Sequence, residues 1–361
     1  MNFLPLLLSA ATIWSELEPG PYRVGFEQVE SYDYSRPFRV EGESRARAIT
    51  MSIWYPADGV AAEAPPVTFG RYLDGADGRE GFRARLTTYG FSLSPLELEA
   101  LFSSEATAVE KAPRAQGPFP LLIFGTGLTG PFYLNTVLSE YLASLGYLVV
   151  AIPSLPVRED VEAAYDALAV DAQIRDMELV IQEMHDYPEV GGGPIGLVAW
   201  SLGGVSQALL QMKNPDVAAV VSLDAATGYA YGEKLLESSI FFEPKRSTAD
   251  FFHATDSRES GQVPKSFRYF DEVVRGRSYL LTIEGATHAE FTSLATVVPS
   301  KVVSLNGREG VAAAYERYRR LCLYVGRFLD ASLKADASAS EFLEDAPTRH
   351  GFDGLVLSRR R

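Results

Sequence analysis

The chain has 361 residues, 47% of them hydrophobic and 22% charged, which is ample material for one large globular core. A formal net charge of −14 excludes nucleic acid and anionic membrane as principal partners, since both reward clustered lysine and arginine. A single cysteine, Cys322, excludes an intrachain disulfide, and the four histidines, His185, His253, His288 and His350, lack zinc-site spacing, so no metal is expected.

The first 20 residues contain an apolar run from Phe3 to Leu8 that continues weakly to Trp14. It is too short to span a bilayer. It reads either as the h-region of a signal peptide, with Leu8-Ser9-Ala10 as a poor cleavage site, or as an apolar N-terminal segment of a cytosolic protein. The first reading implies export to the periplasm or beyond, although no Lys or Arg precedes the run. No other stretch reaches transmembrane length, so no transmembrane segment is expected.

From there strands and helices alternate. Residues 48–56, AITMSIWYP, predict a strand, and 119–125, FPLLIFG, predict one buried on both faces. Residues 133–147 carry Leu134, Val137, Leu138, Tyr141, Leu142 and Leu145 on one helical face. The run YLVVAIP is another buried strand, and Ile174, Met177, Val180, Ile181 and Met184 form the stripe of an amphipathic helix. The strand PIGLVAW then runs into Ser201, and VSQALLQM follows as a helix. Residues 216–225 and 278–285 predict further strands, and 311–333 a long helix. This order implies an α/β fold, a mostly parallel sheet with helices on both faces.

Two segments interrupt the pattern: 60–116, partly helical, and 229–277, rich in phenylalanine and charge. Both read as insertions above the sheet of one domain spanning 21–334. Residues 335–361 turn small and polar, and a loosely packed tail is expected there.

The loop FGTGLTG admits two readings. Gly125, Gly127 and Gly130 match the dinucleotide fingerprint after a strand and before a helix. That fingerprint needs an acid at the tip of the next strand, where Pro153, Ser154 and Leu155 stand instead; the first acid is Glu159. Pro131 also removes a backbone N–H where a phosphate would need one. The alternative is an oxyanion loop, with backbone N–H groups of Leu128 and Leu202 aimed at a tetrahedral intermediate.

The stretch AWSLGG places small residues, Ala199 and Gly203, two positions either side of Ser201. A nucleophile elbow needs this, because the strand and the following helix are crowded at the turn. A serine hydroxyl requires a base and an orienting acid, in the chain order Ser, acid, His. His288 follows a buried strand through a Gly-containing loop and is the favoured base over His253 in the second insertion. Asp224, at the carboxyl end of the strand after the elbow, is the favoured acid over Asp250 and Asp256. Trp200, Phe251 and Phe252 are expected to bind substrate, the last two as part of an aromatic cap over Ser201.

The block PFPLLIFGTGLTGPFYLNTVLSEYLASLGYLVVAIP resembles platelet-activating factor acetylhydrolases and their dienelactone-hydrolase-like relatives of the α/β-hydrolase superfamily. YDYSRPF and MSIWYPA resemble the Asp-x-x-Arg-Pro and Trp-Tyr-Pro-Ala signatures of that group. The resemblance covers roughly residues 22–329. It implies an α/β-hydrolase fold, with Ser201 as nucleophile, Asp224 as acid, His288 in a His-x-x-Phe setting with Phe291, and Leu128 and Leu202 as oxyanion donors. The family's loop histidine is Thr126 here, and its Gly-His-Ser is Ala199-Trp200-Ser201. The expectation is therefore a cofactor-free serine esterase acting on a small-molecule or lipid ester, such as an acetylated or short-chain lipid. A catalytically silent binding protein of the same fold, and a dinucleotide-binding oxidoreductase, are the alternatives.

Overall fold

A computed structural model of the chain describes residues 13–14, 17–40, 42–74, 77–157, 164–257, 263–299 and 310–360. The apolar run at 3–8 lies outside them. Ten strands form one sheet: β1 (Arg23–Val40), β2 (Glu43–Ala57), β3 (Val109–Glu110), β4 (Leu121–Gly125), β5 (Leu148–Ile152), β6 (Ile195–Trp200), β7 (Val217–Leu223), β8 (Asp250–Asp256), β9 (Ser278–Ile283) and β10 (Leu355–Arg359). Their spatial order is β10-β9-β8-β7-β6-β4-β5-β2-β1-β3. The six strands from β5 to β9 are parallel, and the β1–β2 hairpin joins antiparallel through β2.

The parallel strands are buried on both faces, and their side chains alternate between two cores. Leu122, Phe124, Val149, Val198 and Val221 belong to one, Leu121, Ile123, Val150, Leu197 and Val220 to the other. Helix α4 (Thr136–Ser144) and the long helix Val311–Leu333 pack on the first face. Helices α5 (Ala167–Met184) and α6 (Gly203–Lys213) cover the second. Among the described residues, no helix is long and apolar enough to cross a membrane. The segment 60–116 holds α1 (Phe69–Asp74), α2 (Gly78–Thr88) and α3 (Pro95–Phe102).

Three expectations are corrected. The segment 229–277 is not an insertion throughout, because β8 lies within it as an internal strand. Phe251 and Phe252 are fully buried there on opposite faces of the sheet. Phe251 packs edge-on against Tyr269 at 5.5 Å, and Phe252 packs on Phe328 of the long C-terminal helix at 5.5 Å. Neither ring can cap a substrate site. The expected loose tail is also structured: Ala337–Glu344 is a helix, and β10 closes one sheet edge by pairing with β9.

The YDYSRPF stretch has a structural task. The hairpin register passes from Asp33↔Arg47 to Pro37↔Ala46, so residues 34–36 form a bulge, a place that tolerates proline. The bulge turns Arg36 toward α5, where Nη2 donates to Asp176 Oδ1 at 2.7 Å. Arg47 binds the same carboxylate through two hydrogen bonds of 2.8 Å and holds the carbonyl of Pro156, in the loop after β5, at 2.8 Å. Arg47 and Asp176 are both buried.

Removing one partner of such a group strands buried charge. Asp176→Ala is expected to lower the unfolding free energy by about 3–5 kcal/mol, read from the urea midpoint. A loss below about 1 kcal/mol would place the pair in water rather than in the interior. Phe251→Ala and Phe252→Ala are each expected to lose about 3–5 kcal/mol, as core cavities do.

Candidate active site

Ser201, Asp224 and His288 converge at the carboxyl ends of the parallel strands, where open α/β sheets bind ligands. Ser201 follows β6 directly. Its φ is +58°, a left-handed conformation rare for a residue with a Cβ. The turn is held on each side: Ser201 N–H donates to the Leu223 carbonyl at 3.3 Å, and the Ser201 carbonyl accepts from Ala226 N–H at 2.9 Å. A Cβ on Gly203 would lie 2.7 Å from the carbonyl oxygens of both Gly125 and Thr126, so no other residue fits there. A Cβ on Gly127 would lie 2.9 Å from Ser201 Cβ and 3.0 Å from the Trp200 ring, so the 126–130 loop rests on the elbow.

This contact brings Leu128 beside Ser201 on one cavity wall. Among the described residues, no oxygen accepts from the backbone N–H of Leu128 or of Leu202. Thr126 Oγ1 donates to the Gly130 carbonyl at 2.7 Å and pins the loop. No nucleotide-binding geometry is needed to account for the three glycines.

Asp224 directly follows β7, with φ +39° and its N–H donating to the Ala254 carbonyl of β8 at 2.7 Å. Its Oδ2 is 2.6 Å from His288 Nδ1. Its Oδ1 accepts from the Tyr229 hydroxyl at 2.7 Å and from Thr255 Oγ1 at 3.1 Å. Burial alone would push this carboxyl's pKa up. The His288 hydrogen bond and charge, with the Tyr229 hydroxyl, outweigh burial and hold it at about 2.

His288 opens a single turn, His288–Phe291, beyond β9. Its imidazole stacks on the Trp200 indole, with ring centres 4.6 Å apart, and Trp200 Nε1 donates to the His288 carbonyl at 3.2 Å. Trp200 therefore supports the histidine as well as lining the cavity. The turn is anchored by buried Glu290, which accepts from Thr287 N–H at 2.6 Å and from Arg317 Nε, on the long helix, at 2.9 Å.

The other candidates lie elsewhere. His253 is fully buried on β8, its Nδ1 2.9 Å from Ser222 Oγ, and burial lowers its pKa to about 4. It is a neutral core residue. Asp250 starts β8, at the far end of the strand, and pairs with Arg277 at 2.6 Å. Asp256 ends β8 and pairs with Lys265 at 3.2 Å. His185 caps α5, exposed, and His350 stacks on Phe342 at 4.0 Å.

Ser201 and His288 sit where two lobes of a cleft meet. One lobe, about 510 Å³, is bounded by α2 through Arg85 and Thr88, with Asp77 just before the helix and Tyr89 just after it. Arg85 is held by Asp77 at 3.1 Å and by the Tyr133 hydroxyl at 3.3 Å. The other lobe, about 610 Å³, is bounded by Tyr229, Tyr231, Asp256 and Val263, and Tyr165 borders both. Sequence reasoning missed these lining residues. The nearest signal was the run of tyrosines five to seven residues after Asp224, Tyr229 and Tyr231. Among the described residues, no group of three or more His, Cys, Asp or Glu is placed to hold a metal ion.

No family model matches the chain, and no curated protein matches it in sequence. Solved structures do match its shape. A ferulic acid esterase from Streptomyces cinnamoneus superposes with a TM-score of 0.72 at 18% identity, covering 98% of this chain and 100% of that one. The ten-stranded sheet, its helices on both faces and this superposition together show an α/β-hydrolase fold.

Proposed function

We propose that the protein is a carboxylic-ester hydrolase in which Ser201, His288 and Asp224 form a catalytic triad. The observation that carries this reading is the 2.6 Å contact between Asp224 and His288 beside a left-handed serine on one cleft. The fold likeness to an esterase agrees with it at the level of reaction class.

In this reading the Ser201 hydroxyl attacks the ester carbonyl while His288 Nε2 takes its proton. Asp224 holds Nδ1–H, fixing the tautomer, and stabilises the imidazolium that forms. The backbone N–H groups of Leu128 and Leu202 receive the negative charge developing on the carbonyl oxygen. His288 then returns the proton to the departing alcohol. Water repeats the cycle to release the acid. The chemistry needs no cofactor.

The substrate is a small-molecule ester. Acetylated or short-chain lipids, the class implied by the family resemblance, are one source. The tyrosine-lined lobe favours an ester with one flat, apolar arm, because the rings of Tyr165, Tyr229 and Tyr231 offer broad apolar contact. A panel of p-nitrophenyl acetate, longer acyl esters and aryl acyl esters would separate the two.

Ser201→Ala is expected to lower kcat by about 10⁴ to 10⁶ while the protein stays folded. Retention of more than about a tenth of the activity would refute the assignment. Asp224→Asn is expected to cost about 10⁴ in kcat.

The lowered pKa of Asp224 also carries a stability sign. A carboxylate held at about 2 in the folded state, below its unfolded value, adds stability above about pH 4 that is lost as pH falls through 2. Acid unfolding of Asp224→Asn should lack this component, which is of order 2 kcal/mol. Parallel acid-unfolding curves for the two proteins would contradict it.

A further inference from the structure

Asp224 lies buried at the end of β7, with two donors on Oδ1. Thr255 contributes the longer contact from β8. Tyr229 contributes the shorter one, from the start of α7 (Ala230–Ser238). Tyr229 is also a wall of the 610 Å³ lobe, its ring stacked on Tyr231 with centres 5.9 Å apart. One residue therefore touches both the carboxylate and the space where a substrate arm would lie.

We propose that Tyr229 is a positioning residue: its hydroxyl fixes Oδ1 so that Oδ2 faces His288, and its ring makes that hold sensitive to what fills the lobe. The inference rests on Asp224 being the acid of the proposed triad. The Asp224 backbone, with φ +39°, is held by its N–H on the Ala254 carbonyl, and its carboxylate is oriented separately, by His288 on Oδ2 and by Tyr229 and Thr255 on Oδ1. Without the Tyr229 hydroxyl, Oδ1 keeps only the 3.1 Å contact to Thr255.

The change in charge has a direction. A donor on Oδ1 draws negative charge away from Oδ2. Removing it leaves more charge facing His288 and favours the imidazolium. The other ionisable groups near the carboxylate are His253, kept neutral by burial, Asp256, paired with Lys265, and Tyr231 on α7, whose hydroxyl burial and the Asp224 charge push further toward the neutral form. None of them replaces the lost donor.

Tyr229→Phe tests this. The expected result is a fall in kcat of about ten-fold, the size of a lost charge-assisted hydrogen bond, with KM for p-nitrophenyl acetate within about two-fold. The acid limb of the pH–rate profile should move to higher pH. Replacing Tyr229 by 3-fluorotyrosine keeps the shape and strengthens the donor, so the same limb should move to lower pH. In the Ser201→Ala background, the His288 Nδ1–H proton resonance should shift in Tyr229→Phe, a readout that needs no substrate. An unchanged resonance, or a wild-type kcat and acid limb in the folded variant, would overturn the proposal. If the wild-type protein hydrolyses no ester at all, the esterase reading fails, and the resonance alone then decides the role of Tyr229.

Discussion

The site depends on the backbone of Ser201. A left-handed residue with a Cβ is about 1–2 kcal/mol above the ordinary helical or extended state, so it persists only where its surroundings leave no alternative. Here the strand before it is buried along its whole length, and the helix after it is buried along nearly all of its own. The carbonyls of Gly125 and Thr126 press on Gly203, and Gly127 presses on Ser201 itself. The turn cannot relax without moving β4 or β6, both central in the sheet. The serine hydroxyl is thereby fixed at the cleft floor by the packing of the whole core.

The sheet fixes the strand ends, but the loops need their own anchors, and buried carboxylates provide them. Glu290 ties the His288 turn to Arg317 of the long helix. Asp176 ties the β1–β2 hairpin, through Arg36 and Arg47, to α5. Glu140 on α4 accepts from Trp14 at 2.5 Å, from the Tyr72 hydroxyl, and from Thr107 N–H at 2.9 Å, joining the N-terminal residues and the 60–116 segment to the core. A buried charge of this kind adds little net stability over an apolar replacement. Its value lies in direction, since each acceptor oxygen accepts only from a donor in the right place. Two of these carboxylates sit on helices packed against the sheet, Glu140 on α4 and Asp176 on α5, and the third holds the turn after β9.

Much of this was legible in the sequence. Strands β4, β5, β6, β7 and β9 are short apolar runs bounded by polar or turn residues, and the helices of the two faces show their 3.6-residue stripe. Each of Ser201, Asp224 and His288 follows such a strand, so its position could be read as a strand end. Strand β8 was not legible, because between its flanking aspartates DFFHATD has only two adjacent apolar residues before His253 interrupts them. Its two phenylalanines face opposite cores, yet in sequence they look like one aromatic pair. Strand β10 is an edge strand, half polar, and reads as tail. The cleft walls were hidden for a different reason. Arg85 sits on a helix far from the elbow in sequence, and only folding places it opposite Ser201.

Aromatic content alone could not separate wall from core, and tyrosines such as Tyr72, Tyr147 and Tyr318 are buried in the core as well. The phenylalanines of β8 disappear into the two cores, where a ring needs no polar partner. The rings along the tyrosine-lined lobe are Tyr165, Tyr229 and Tyr231. A tyrosine at a boundary can turn its apolar face to one side and its hydroxyl to a polar group on the other. At Tyr229 that polar group is a carboxylate almost wholly removed from water, since Asp224 is 3% exposed. A phenylalanine there would fill the same volume and leave the carboxylate one donor short in a low-dielectric setting, where an unmet acceptor is most expensive. The residue type at that position is therefore set by the acid behind it as much as by the cleft in front.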